Sequence, residues 1–387
     1  MAAPPEVITV FAAKTARTFC YGFLGIVLPV YLGELGVGPL GVGTAVTLTL
    51  AASAALTWMV RRPAERYGAR VALLGLVVLT ALSALMLLVS RSPWVVVAAA
   101  MLGNVAVGAG ETGPFLTVEQ VVVARAVTGA RRTTILSLYN LLGYGAAALG
   151  AAAVRGVAGY DALFLLFLAG AAVQAIAYRF LPSRPRAEAA RPRGPLTSTP
   201  LIRRMAALFA LDSFAGGFVL QSLVAYFLHV RFGLDLAALG LIFFVAQLLT
   251  AASLLLAARC AARFGLLATM VVSHLASNVF LIAIAAAPSG AVAVALLLLR
   301  QLLSQMDVPT RQAYVMAVVE DHEREAAAST TNLARTLAQA ITPALTGWTM
   351  QALALAAPFV LGGGLKIVYD VLLYFTFRDV KLKSETE

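Results

Sequence analysis

Three properties of the 387-residue chain point to an all-α membrane protein of about twelve transmembrane helices in two pseudo-symmetric six-helix halves. Hydrophobic residues make up 61% of it and charged residues 12%, against roughly 25% charged in soluble domains. No soluble fold can hide that much apolar surface. The apolar stretches are long enough to cross a bilayer core, for which about 20 helical residues suffice. The chain also repeats itself. Ala16-Arg17-Thr18-Phe19-Cys20-Tyr21-Gly22-Phe23 is echoed by Leu211-Asp212-Ser213-Phe214-Ala215-Gly216-Gly217-Phe218. Arg66-Tyr67-Gly68 returns as Arg263-Phe264-Gly265, and Asn104 with Glu111 returns as Arg300 with Asp307, at offsets of 195 to 197. Many secondary transporters are built as such repeats of membrane helices.

Taken in order, the expected spans are 7–33, 39–60, 70–90, 93–120, 132–155 and 160–180, then 202–229, 236–258, 266–287, 290–317, 327–353 and 356–377. The first is too long for a signal-peptide core and carries Lys14 and Arg17, so it reads as an uncleaved span. Arginines orient the set. Arg61, Arg62, Arg66 and Arg70 follow span two; Arg125, Arg131 and Arg132 follow span four; Arg259 and Arg263 follow span eight. The central connection holds Arg184, Arg186, Arg191 and Arg193, whereas the opposite loops hold only Arg91, Arg155 and Arg231. Both termini are therefore expected in the cytoplasm. The Pro/Arg-rich segment 182–200 reads as a linker between halves at 1–181 and 201–387.

The net charge of +11 sits in alternate loops rather than on one soluble face, which argues against a nucleic-acid partner. Cys20 and Cys260 give no disulfide framework, and His229, His274 and His322 are scattered, so neither a metal nor a cofactor is expected. Neither a nucleotide-binding glycine-lysine-serine loop nor a nucleophile constellation is present, which excludes an ATP-driven pump and disfavours a membrane enzyme.

Two six-span halves with a basic loop after span two resemble the major facilitator superfamily. The loop Ala64-Glu65-Arg66-Tyr67-Gly68-Ala69-Arg70 is similar to that family's loop motif of acid, base, glycine and base, with Glu65 in place of the usual aspartate and no opening glycine. The resemblance implies that Glu65, Arg66, Gly68 and Arg70 stabilise one face of an alternating-access cycle as gating residues. Two departures set the chain apart from the family's drug–proton antiporters. Asn104 stands before Gly108 where those carry an arginine, and span five lacks their glycine-proline motif.

Ionisable residues at bilayer depth mark pathways or proton relays. Here they are Arg17, Glu111, Asp212, Arg300, Asp307, Arg335, Lys366 and Asp370. The resemblance implies that spans one, four, seven and ten line a central cavity. Arg17 and Asp212 occupy equivalent places with opposite charge and are expected to pair as a cytoplasmic gate. Asn104 with Glu111, and Arg300 with Asp307, lie seven residues apart on one helix face, and Arg311 extends the span-ten stripe. Asn332, Arg335 and Gln339 form a stripe in span eleven, with Asn140 and Tyr144 in span five. Arg300 and Arg335 are expected to hold an anionic group, with Asn104, Asn140, Tyr144, Asn332 and Gln339 beside it. Glu111, Asp307 and Asp212 are the expected proton carriers. Lys366 and Asp370, at i,i+4, are expected to pair with each other. Gly113-Pro114 and Pro309 should kink spans four and ten.

The resulting expectation is a monomeric, proton-coupled secondary transporter of a small organic anion or zwitterion. It is placed in a plasma (bacterial inner) membrane and oriented for export. The alternatives are a lipophilic-cation antiporter and, from another class, a lipid scramblase or transport-like receptor.

Overall fold

The computed structural model describes residues 4–106, 113–127, 130–157, 159–182, 199–319 and 323–378. In chain order its helices are α1 (Pro5–Glu34), α2 (Pro39–Tyr67), α3 (Ala69–Val89), α4 (Pro93–Leu102), α5 (Pro114–Ala126), α6 (Ala130–Ala153), α7 (Tyr160–Tyr178), α8 (Thr199–Gly217), α9 (Gln221–Phe232), α10 (Leu236–Phe264), α11 (Leu266–Ala285), α12 (Gly290–Ser304), α13 (Asp307–Val318), α14 (Arg324–Ala352) and α15 (Ala357–Phe377). Among the described residues, ten stretches are long and apolar enough to cross a membrane. The broken pair α4/α5 and the more polar α14 bring the spans to the expected twelve. This is a multi-pass membrane protein.

The repeat is visible in how helices stop. Gly68 joins α2 to α3 at φ +90°, and Gly265 joins α10 to α11 at φ +84°. With ψ near +160° at both, only a residue without a Cβ adopts this conformation freely. Gly68→Ala and Gly265→Ala should each cost about 1–3 kcal/mol, read as a lower thermal midpoint of the purified protein. Gly75→Ala, on open helix surface within α3, is the control that should not lower it, since Ala is the better helix former. Because no break precedes Gly68, α2 runs on to Tyr67; Arg61, Arg62 and Arg66 extend that helix rather than occupy a loop.

Spans four and ten are broken, not merely kinked. Pro114 opens α5 at a position where its missing N–H costs nothing, and Pro309 is the third residue of α13. Span seven is also divided, between α8 and α9 beyond Gly216-Gly217, a break that the sequence reading did not anticipate.

The chain forms two compact units, residues 1–188 with 220–248, and 189–219 with 249–387. In the first, α1 packs along α6 and α7, over an apolar core that includes Val10, Leu73, Phe115, Tyr139 and Tyr178. In the second, α14 lies along α8 and α11 along α12 and α15. Its core gathers Met205, Phe209, Met270, Tyr314, Tyr369 and Phe377. Each core surrounds a cluster of buried charge.

Candidate functional site

In the second unit, four helices converge on Asp212. Its Oδ1 accepts from Lys366 Nζ of α15 at 2.6 Å and its Oδ2 from Arg311 Nη1 of α13 at 3.2 Å. The same Arg311 nitrogen donates to Asp307 Oδ2 at 2.6 Å, one helical turn back. On the other side, Lys366 Nζ lies 3.3 Å from His274 Nε2 of α11, and His274 Nδ1 lies 2.7 Å from Asp370 Oδ1. Asn278 Nδ2 donates to Asp370 Oδ2 at 3.0 Å. A continuous chain thus runs Asp307–Arg311–Asp212–Lys366–His274–Asp370–Asn278. All seven side chains are buried. A charge in such surroundings is tolerable only when paired and hydrogen-bonded.

Two further guanidiniums border this chain without a carboxylate in hydrogen-bond contact among the described residues. Arg335 Nε of α14 donates to Ser213 Oγ at 3.0 Å. Arg300 Nη1 of α12 donates to Gln301 Oε1 at 2.8 Å, and its buried Nε has no partner. Three carboxylates (Asp212, Asp307, Asp370) therefore face four cations (Arg300, Arg311, Arg335, Lys366). With His274 neutral the assembly carries a surplus positive charge, and donors on Arg300 remain unused.

The first unit holds its own charged cluster. Arg17 Nη2 and Glu119 Oε2 pair at 2.5 Å, both side chains 0% exposed. Glu119 accepts four hydrogen bonds, two from Arg17 and one each from the Tyr139 and Tyr178 hydroxyls at 2.6 Å. Arg17 also donates to Tyr178 at 2.8 Å and lies 4.5 Å from the centre of the Phe115 ring. The cluster ties α1 to α5, α6 and α7.

Arg17 takes Glu119, and Asp212 takes Lys366 and Arg311, each within its own unit. Lys366 reaches Asp212 and His274, while Asp370 takes His274 and Asn278, so the i,i+4 pair between them does not form. The polarity of the first-helix charges is nonetheless mirrored. Arg17 pairs with an acid beyond the break in span four, and Asp212 with a base beyond the break in span ten.

The other expected site residues are spread. Asn104 is buried at the end of α4 at φ +49°, with neither amide atom hydrogen-bonded. Tyr144 and Gln339 are half-buried, and Asn140 and Asn332 are exposed. Glu65 and Arg66 are exposed at the end of α2, with Arg66 over the Tyr67 ring at 5.3 Å, and Arg70 is half-buried. Glu111, linker residues 183–198 and the side chains of Arg131 and Arg132 lie outside the described residues. Among the described residues, no cluster of His, Cys, Asp or Glu has a metal-ligating arrangement.

Sequence reasoning missed Glu119 and His274. An acid was to be sought near Phe115, which stands 196 residues before Arg311; Glu119 is one helical turn beyond it. His274, a titratable group inside an apolar span, meets the same criterion as the charges singled out.

A family model described as Major Facilitator Superfamily matches residues 10–300 and 206–387. The chain is 23% identical to the uncharacterized membrane protein YJR124C of Saccharomyces cerevisiae, over 98% of this chain and 96% of that one. Among solved structures it is similar to the nucleoside transporter NupG, with TM-score 0.75 and 14% identity over 96% of this chain and 99% of that one. A D-xylose-proton symporter gives 0.74 and 14% over 98% and 99%. The human organic anion transporter MFSD10 gives 0.67 and 18% over 96% and 100%. These structural likenesses show the fold.

Proposed function

Because the chain belongs to the Major Facilitator Superfamily, we propose that it is a secondary active transporter of a small organic anion or zwitterion. It works by alternating access, coupled to protons and running towards export across a plasma membrane, with both termini cytoplasmic. One observation carries the choice of solute. Arg300 and Arg335 make their hydrogen bonds to neutral groups, beside Asp212 and Asp307, which are already held by Arg311 and Lys366. Guanidinium presents a fork of donors suited to carboxylate or phosphate oxygens. An anionic group accepted there completes the donors and cancels the surplus charge.

Buried acids supply the coupling. Asp212 and Asp307 share Arg311, so protonating either one alters what the guanidinium must balance, and this links proton load to the charge offered to the solute. Glu65, Arg66, Gly68 and Arg70 then serve the gate on the cytoplasmic face. Human MFSD10, one of the fold neighbours, is an organic anion transporter, a solute class that this reading shares.

The test is thermal stabilisation of the purified protein across a panel of organic acids, zwitterions and lipophilic cations. A ligand that binds only the folded state at about a hundred times its Kd stabilises by about 2.7 kcal/mol. Anions or zwitterions should raise the midpoint, and Arg335→Gln or Arg300→Gln should abolish the rise. Stabilisation by lipophilic cations alone would overturn the reading.

A further inference from the structure

We propose that His274 is a further proton-binding group of the second unit, and that a proton on its Nε2 and a hydrogen bond from the Lys366 ammonium exclude one another. The inference rests on the proton-coupled reading above and adds a titratable ring that reaches the coupling carboxylate Asp212 through Lys366. It involves α11 and α15, which contribute none of the expected proton carriers.

With Asp370 ionised the carboxylate only accepts, so the 2.7 Å contact is made by a hydrogen on His274 Nδ1; Asn278 Nδ2, 3.3 Å from the same nitrogen, then donates to Asp370 Oδ2 at 3.0 Å. The lone pair of the neutral ring is then on Nε2. Lys366 Nζ lies 3.3 Å from that nitrogen and 2.6 Å from Asp212 Oδ1, so one ammonium donates to both. A proton arriving from solution on Nε2 removes its only acceptor site and sets an imidazolium N–H against an ammonium. The two cannot share that contact. Asp212 Oδ1, 3.6 Å from Nε2, is the acceptor to which the imidazolium turns. Lys366 must then leave the ring and give up part of its hold on Asp212.

Every packed element contributes to this setting. From α15 come Asp370, Lys366 and the Tyr369 ring, edge-on with its centre 5.8 Å away. From α8 comes Asp212. On α13, Arg311 acts through Asp212, and on α12 Arg300 lies within Coulombic range of Asp212 and Asp307. Asn278, on the ring's own helix, steadies the far oxygen of Asp370. Proton binding at His274 therefore exchanges a Lys366 contact for a histidine contact at Asp212, the carboxylate that also holds Arg311. That is how a proton on α11 is sensed at α8, α13 and α15.

The chain has three histidines, His229, His274 and His322, so selective 15N-histidine labelling of the full-length protein gives a readable spectrum, with His274→Gln for assignment. Lowering the pH should carry His274 from the neutral Nδ1–H form to imidazolium. Lys366→Gln should shift that transition. A ring that keeps one protonation state throughout, or a transition indifferent to Lys366, overturns the proposal. In proteoliposomes, uptake driven by a pH gradient should be lost in His274→Gln, with counterflow at equal pH retained. The probe is the anion that gave the largest thermal shift. Retention of both activities, or parallel loss of both, also counts against His274. If no anion stabilises the protein, the reading of the solute fails while the spectroscopic titration still decides the proton site.

Discussion

Glu119→Ala should be the most damaging single substitution in the first unit, costing about 3–5 kcal/mol of stability, because it breaks a fully buried ion pair by removing one partner. Glu119 accepts from Arg17, Tyr139 and Tyr178 together, so three side chains lose a hydrogen bond at once. The thermal midpoint of the detergent-purified protein is the measurement. Arg17→Met combined with Glu119→Leu should recover most of the loss, since exchanging a buried pair for apolar residues of similar volume is often neutral or stabilising. A double variant no more stable than Glu119→Ala alone would overturn the uncompensated charge as the cause of the loss.

Asp212→Asn should have a comparable effect in the second unit, about 3–5 kcal/mol, by stripping Lys366 and Arg311 of a shared counter-ion. Here stability and activity should separate. Asp212→Asn with Lys366→Met removes one charge of each sign and should restore much of the thermal midpoint. Transport should stay abolished, because the carboxylate that joins Arg311 to Lys366 is gone. Full recovery of transport in the double variant would assign Asp212 a purely structural part.

What could be read from the sequence was whatever lies within one helix or recurs between halves. The twelve spans follow from apolar length, and the paired turns at Gly68 and Gly265 from the repeat. The Asp307–Arg311 pair follows from a four-residue spacing. Contacts between helices were not legible. Arg17 and Glu119 are 102 residues apart, and His274 and Asp370 are 96 apart; no spacing rule joins them. Lys366 and Asp370 show the converse limit. Helical spacing permits their pairing, but each side chain finds a buried partner on another helix, at distances of 2.6 and 2.7 Å. The polar stripe of span eleven divided for a similar reason, with Arg335 bonded to Ser213 while Asn332 stays exposed.

The mirrored polarity of the two ion pairs bears on the chain's history. If the halves descend from one ancestral segment, the first-helix charge has since reversed sign in one of them and its partner has shifted by one helical turn, since Glu119 lies four residues beyond the place equivalent to Arg311. Reversing one partner alone would bury two like charges side by side. Neutralising one alone would strand the other at a cost of about 3–5 kcal/mol, a large share of the roughly 5–15 kcal/mol that native domains have in hand. The passable route is through a pair in which both positions were uncharged and well packed, with charge regained later in the opposite sense. The two halves are therefore not interchangeable parts. A chimera that exchanges α1 for α8 without α5 and α13 would inherit a stranded charge in each half.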